Sequence, residues 1–77
     1  METYLATFFS HYGAIRFGRA LREAGVEHKL MPVPRQVSSS CGTCVEFHAE
    51  EIPEVSEDVE KLFRAAEGHY EELLSRL

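Results

Sequence analysis

Hydrophobic and polar positions divide the chain into segments with different periods. Thr3 to Phe9 is rich in β-formers, and both alternating sets, Tyr4/Ala6/Phe8 and Leu5/Thr7/Phe9, are largely apolar. A strand that is covered on both faces reads this way, either central or covered by a partner. Ser10 then offers a helix N-cap, and Ala14, Phe17, Leu21 and Ala24 recur with helical spacing. Arg16, Arg19, Arg22 and Glu23 fall mainly off that stripe, and Gly25 supplies a stop. The pattern predicts a helix over 11–24. Glu27 to Val33 reads as a second strand, with Pro32 and Pro34 confining it to an edge. After the loop Pro34–Ser40, Thr43 to Ala49 alternates, Val45/Phe47/Ala49 against Cys44/Glu46/His48, as a half-buried strand does.

The last third is less decisive. Glu50-Glu51-Ile52-Pro53-Glu54 reads as an acidic linker. Ser56 caps a predicted second helix over 56–66, with Val59, Leu62, Phe63 and Ala66 inward and Glu57 and Asp58 suiting its dipole. Beyond Gly68, Tyr70, Leu73, Leu74 and Leu77 keep a helical period and local propensity favours helix, the alternative being that Gly68 ends the helix and His69 to Ser75 forms a short last strand. Two strands joined by a crossover helix run parallel, and a third strand can pair antiparallel between them. The expected fold class is therefore α+β, a ferredoxin-like βαββαβ sandwich of one domain over 1–77. An antiparallel sheet of four strands carries both helices on one face. Its other face is open, and apolar residues including Met31 imply that a second copy covers it.

Composition removes whole classes of function. The 77 residues are 44% hydrophobic and 27% charged, so disorder is excluded and the length allows one thin core. A formal charge of −5 argues against a nucleic-acid partner. No apolar run approaches a membrane span, and Met1-Glu2 provides no basic start to a secretory signal. Neither a phosphate loop, a catalytic triad, a paired-carboxylate site nor a dinucleotide fingerprint is present, so no cofactor is expected. The row Arg16, Arg19 and Arg22 is a solvated helix face or a docking strip for an acidic partner.

The chemistry concentrates in Cys41-Gly42-Thr43-Cys44. A disulfide closing so short a loop stabilises little, and a reducing cytoplasm is the expected compartment. Four readings stand. The thiols are inert turn residues; they form a dithiol switch; they belong to a metal site; or one of them carries a transferable group. The metal reading joins Cys41, Cys44 and His48. Along a strand, however, Cys44 and His48 lie about 13 Å apart, so a site would need His11, His69 or a second chain. His28 and His48 read as strand-surface residues, and His69 as a turn residue at the same end as Cys41.

Tyr4-Leu5-Ala6-Thr7-Phe8, Leu30-Met31-Pro32-Val33-Pro34-Arg35 and Ser38-Ser39-Ser40-Cys41-Gly42 resemble the selenium/sulfur carrier-like family of small domains. The most specific match is Pro34, Arg35, Ser38, Ser39, Cys41 and Gly42. The resemblance implies a cysteine that holds sulfur or selenium for transfer. It also implies that Gly68-His69-Tyr70 opens a closing strand, with Glu71-Glu72 departing from the family pattern. Under this reading Cys41 is the nucleophile and Cys44 a resolving thiol, since thiolate exchange makes such a step natural. The expected topology brings Cys41 beside the helix start, so Ser10, His11, Arg35, Ser40 and Gly42 are its candidate binding residues. The partners are then sulfur or selenium donor and acceptor proteins. The chain is a carrier whose turnover depends on them, more than an enzyme in its own right. The rivals are a binding or redox-sensing module and a Cys/His metal regulator.

Overall fold

Tyr4 to Phe8 are all buried, and this run is the centre of the molecule. A computed structural model describes residues 1–51 and 55–76. The elements are β1 (Glu2–Phe8), α1 (His11–Glu23), β2 (His28–Pro32), β3 (Thr43–Ala49), β4 (Val59–Ala66) and β5 (His69–Ser75). They build one five-stranded sheet in the order β2-β3-β1-β4-β5, with every neighbouring pair antiparallel. β3 lies between β1 and β2, so those two run parallel and α1 is the crossover between them. This is the split βαβ arrangement that the sequence pattern predicts.

Ser10 caps α1 by accepting the Gly13 N–H at 3.2 Å. The helix lays Ala14 and Phe17 on the face formed by Tyr4, Ala6, Phe8, Val45, Phe47 and Leu62. Phe17 meets Phe8 and Phe47 at ring distances of 5.4 Å each. Gly18 lets the helix come close to β2: a Cβ there would stand 2.9 Å from Leu30 Cδ1. Gly25, at φ 73°, turns the chain out of the helix, as expected.

The predicted second helix over 56–66 is not formed; Val59–Ala66 is strand β4. The four-stranded sheet with two helices is corrected to five strands and one helix. A β-bulge explains the misreading. Thr7 pairs with Lys61 but Phe8 pairs with Val59, so Glu60 is an extra residue in β4. The bulge brings Val59 and Leu62, three positions apart, into the same core cluster. Their spacing imitates a helical stripe. β4 then turns into β5 through Glu67 (φ 48°) and Gly68 (φ 84°), a two-residue hairpin turn with both residues left-handed. The closing strand at His69–Ser75 matches the expectation, as the fifth strand. The linker positions Ile52, Pro53 and Glu54, and Leu77, lie outside the described residues.

The sheet face opposite α1 is not open as expected. The loop between β2 and β3 folds back across it. Val37, 6% exposed, packs on Leu5, Cys44 and Phe63, with Met31, Val33 and Tyr70 around them. The Val33 N–H donates to the Gly42 carbonyl at 3.2 Å and closes the neck of this loop. On the other face α1 spans β2, β3 and β1. The place expected for a second helix holds the cross-strand pair Arg64–Glu71, at 2.6 Å, and half-buried Leu74.

Candidate functional site

Cys41 and Cys44 are free thiols in different surroundings. Cys44, the second residue of β3, faces the loop-covered side of the sheet, opposite Met31 and Thr7. It is fully buried, and its Sγ–H points at the Met31 carbonyl, 3.5 Å away, and the Pro32 carbonyl, 3.7 Å away. Burial pushes its pKa up to about 11, with the charges of Glu46 and Cys41 adding to the effect. Cys44 is therefore a thiol, not a thiolate, at neutral pH. Cys41 is half-buried at the end of the loop. Its sulfur accepts the Thr43 N–H at 3.4 Å, and its own N–H donates to Ser39 Oγ at 3.2 Å.

The serine run is built into the fold. Ser39 donates its hydroxyl to the Phe8 carbonyl at 3.3 Å, tying the loop to the end of β1. Ser40 donates its N–H to both carboxylate oxygens of Glu60 at 3.3 Å, and its hydroxyl donates to Oε2. Thr7 donates to Oε1 at 3.2 Å. Glu60 is 0% exposed. Burial by itself raises its pKa, but the hydrogen bonds from the Ser40 hydroxyl and amide and from the Thr7 hydroxyl outweigh burial and hold it below 4.5. Sequence reasoning missed Glu60, because it placed this residue in a helix. No local signal marks a carboxylate whose donors lie 20 and 53 positions away.

The sites expected from sequence divide. Thr43 links Cys41 to the helix start: its N–H reaches the Cys41 sulfur and its hydroxyl meets His11 Nδ1 at 3.1 Å. The loop end and the start of α1 thus lie together, as expected. Ser10, however, is occupied as the helix cap, and Ser40 is occupied by Glu60. Gly42 is exposed, with open space where a Cβ would stand. Arg35 is exposed in the Pro34–Val37 turn, and no described contact joins it to Cys41. His69 is not at the Cys41 end: its hairpin lies beyond Thr3, whereas Cys41 lies beyond Thr7.

His48 hydrogen-bonds Thr3 Oγ1 at 3.0 Å, and His28 Nδ1 meets the Val26 carbonyl at 2.8 Å. Among the described residues, no three Cys, His, Asp or Glu side chains come together in a group that could hold a metal ion. In the arginine row, Arg16 pairs with Asp58 at 3.5 Å, while Arg19 and Arg22 line an open cleft of about 260 Å³ with Ile15, Gly18, His28 and Leu30. No helix among the described residues is long and apolar enough to cross a membrane.

The chain is 33% identical over 45 residues to the uncharacterized protein YtiA of Escherichia coli (strain K12), covering 58% of this chain and 53% of that one. It therefore spans about half the length of that curated relative. No solved structure matches. The family model described as "Putative Se/S carrier protein-like" matches residues 3–74, a span that contains the Glu60 network, both cysteines and all of the strands but the first residue of β1 and the last of β5. The chain belongs to the Se/S carrier protein-like family.

Proposed function

We propose that the protein carries sulfur or selenium on Cys41 between partner proteins. One observation carries the reading beyond family membership: the two thiols are unequal. Cys41 is half-buried at a loop end, while Cys44 is enclosed and held protonated. A dithiol switch needs two exchangeable thiols, whereas a carrier needs one reachable sulfur and no ready competitor.

In the loading step, the Cys41 thiolate attacks the terminal sulfur of a donor persulfide. The donor S–S bond breaks, and the departing thiolate takes up the proton that Cys41 released. A perselenide-type donor reacts in the same way at selenium. Release is the reverse exchange onto an acceptor thiolate. Thr43 N–H, donating to the Cys41 sulfur, holds that sulfur at the loop end. His11, exposed beside Thr43, adds positive charge when protonated. The exposed backbone of Gly42 borders Cys41 on its C-terminal side.

Donor and acceptor proteins must dock on this small surface, and a reducing, cytoplasmic setting keeps both thiols free. Self-association belongs to the same proposal. Phe9, Tyr12, Ile15 and Leu30 leave large apolar side chains exposed on α1 and its flanks.

The test is intact mass after incubation with glutathione persulfide. Wild type and Cys44→Ser should each gain one sulfur atom, and Cys41→Ser should gain none. Sulfur retained only on Cys44, or equal loading of both cysteines, would reject Cys41 as the carrier.

A further inference from the structure

Glu60 is a fully buried carboxylate that takes part in none of the ion pairs among the described residues. Taking such a charge out of water is expensive unless hydrogen bonds replace hydration. Here the replacement comes from two places: Thr7 on β1, and both donors of Ser40 in the β2–β3 loop. The bulge in β4 supplies the backbone for this. Glu60 is the extra residue of the bulge, and its side chain joins Thr7 and Ser40 on the loop-covered side.

The network continues to the nucleophile. Ser40 is chain neighbour to Ser39, which accepts the Cys41 N–H and donates to the Phe8 carbonyl. Ser39 is thus pinned to β1 and Ser40 to β4, and Cys41 is tied to Ser39 within the loop. Val37 provides the apolar half of the same attachment.

We infer that Glu60 is a positioning residue for Cys41: its carboxylate clamps Ser40 and so keeps the loop closed and the Cys41 sulfur half-shielded. This rests on Cys41 as the carrier only for what the shielding achieves, which is retention of the bound sulfur against stray thiols. The clamp itself does not depend on that reading. Glu60→Gln keeps the volume but replaces the charge and turns one acceptor into a donor facing the Ser40 amide and hydroxyl. Removing the anion weakens charge-assisted hydrogen bonds, the strong class.

The experiment measures the reaction of each cysteine with a pyridyl disulfide, which reports thiols individually in Cys41→Ser and Cys44→Ser backgrounds. In Glu60→Gln, Cys41 should react about tenfold faster, because the loop opens more often, while Cys44 stays as slow as in wild type. Ser40→Ala, which removes one donor and leaves the carboxylate, should move Cys41 the same way by a smaller factor. Phe17→Leu, on the opposite face, is the control for general destabilisation and should leave Cys41 unchanged. An unchanged Cys41 rate in both Glu60→Gln and Ser40→Ala overturns the inference, as does equal acceleration of Cys44 or an equal effect in Phe17→Leu. A second arm loads Cys41 with glutathione persulfide and follows sulfur loss to added dithiothreitol, expected to be about tenfold faster in Glu60→Gln. Failure of wild type to load rejects the carrier reading, and the pyridyl disulfide rates still decide the role of Glu60.

Discussion

Two side chains at this site have ionisation set by their surroundings, in opposite directions. Cys44 is raised to about 11 by burial. Its contribution to stability is whole below the ordinary thiol value of 9.0 and is lost as pH rises from there through 11. Thermal melts of wild type should fall over that window, and those of Cys44→Ala should fall less. In a Cys41→Ser background, alkylation of Cys44 should keep accelerating beyond pH 9, because the thiolate is still a minority there. Glu60 is lowered, so its contribution is present above 4.5 and is lost as pH falls through its folded value. Its bonding partners are uncharged donors from β1 and the loop, and Lys61 beside it reaches Ser38 at 3.4 Å instead. Glu60→Gln should cost about 1–3 kcal/mol at neutral pH and flatten acid unfolding below pH 4.5, measured by urea titration at each pH.

At the scale of elements, the β4–β5 hairpin is where sequence and structure part most sharply. Its two turn residues both need positive φ, and only Gly68 adopts it without strain. Glu67 at φ 48° is a misfit that Asn tolerates better. Glu67→Asn should therefore raise the melting temperature, and Gly68→Ala should lower stability by about 1 kcal/mol. The α1 region was legible because capping, stripe and stop agree: Ser10, then Ala14, Phe17 and Leu21, then Gly25. The 59–66 segment was not. Its local propensity and i, i+3 spacing favour a helix, but β1 offers a second edge whose backbone N–H and C=O groups require a partner. Strand pairing meets that requirement, and the bulge at Glu60 absorbs the mismatch in period.

For the molecule as a whole, one helix over a five-stranded sheet leaves β2 and β5 as edges and the α1 flank partly apolar. Light scattering at high concentration should give a mass above that of a monomer, and Ile15→Glu with Leu30→Glu should return it to monomer. A monomer at every concentration would leave donor and acceptor proteins as the partners of that surface. The opposite face contributes no such patch, because Val37 and its loop already cover it.

The sequence alone determined the features that rest on neighbouring residues. The period of residues 3–9 announced a strand covered on both faces, Ser10 and Gly25 bounded the helix, and the run through Ser38, Ser39, Cys41 and Gly42 pointed to the family. Tertiary structure decided what depends on residues far apart in the chain. It turned 59–66 into a strand, folded the loop over Cys44, and set Glu60 against Ser40. The physical reason is that burial and hydrogen-bond satisfaction are settled between segments, 20 residues apart for Glu60 and Ser40 and 53 for Glu60 and Thr7. A local period records only which side of its own segment a residue prefers.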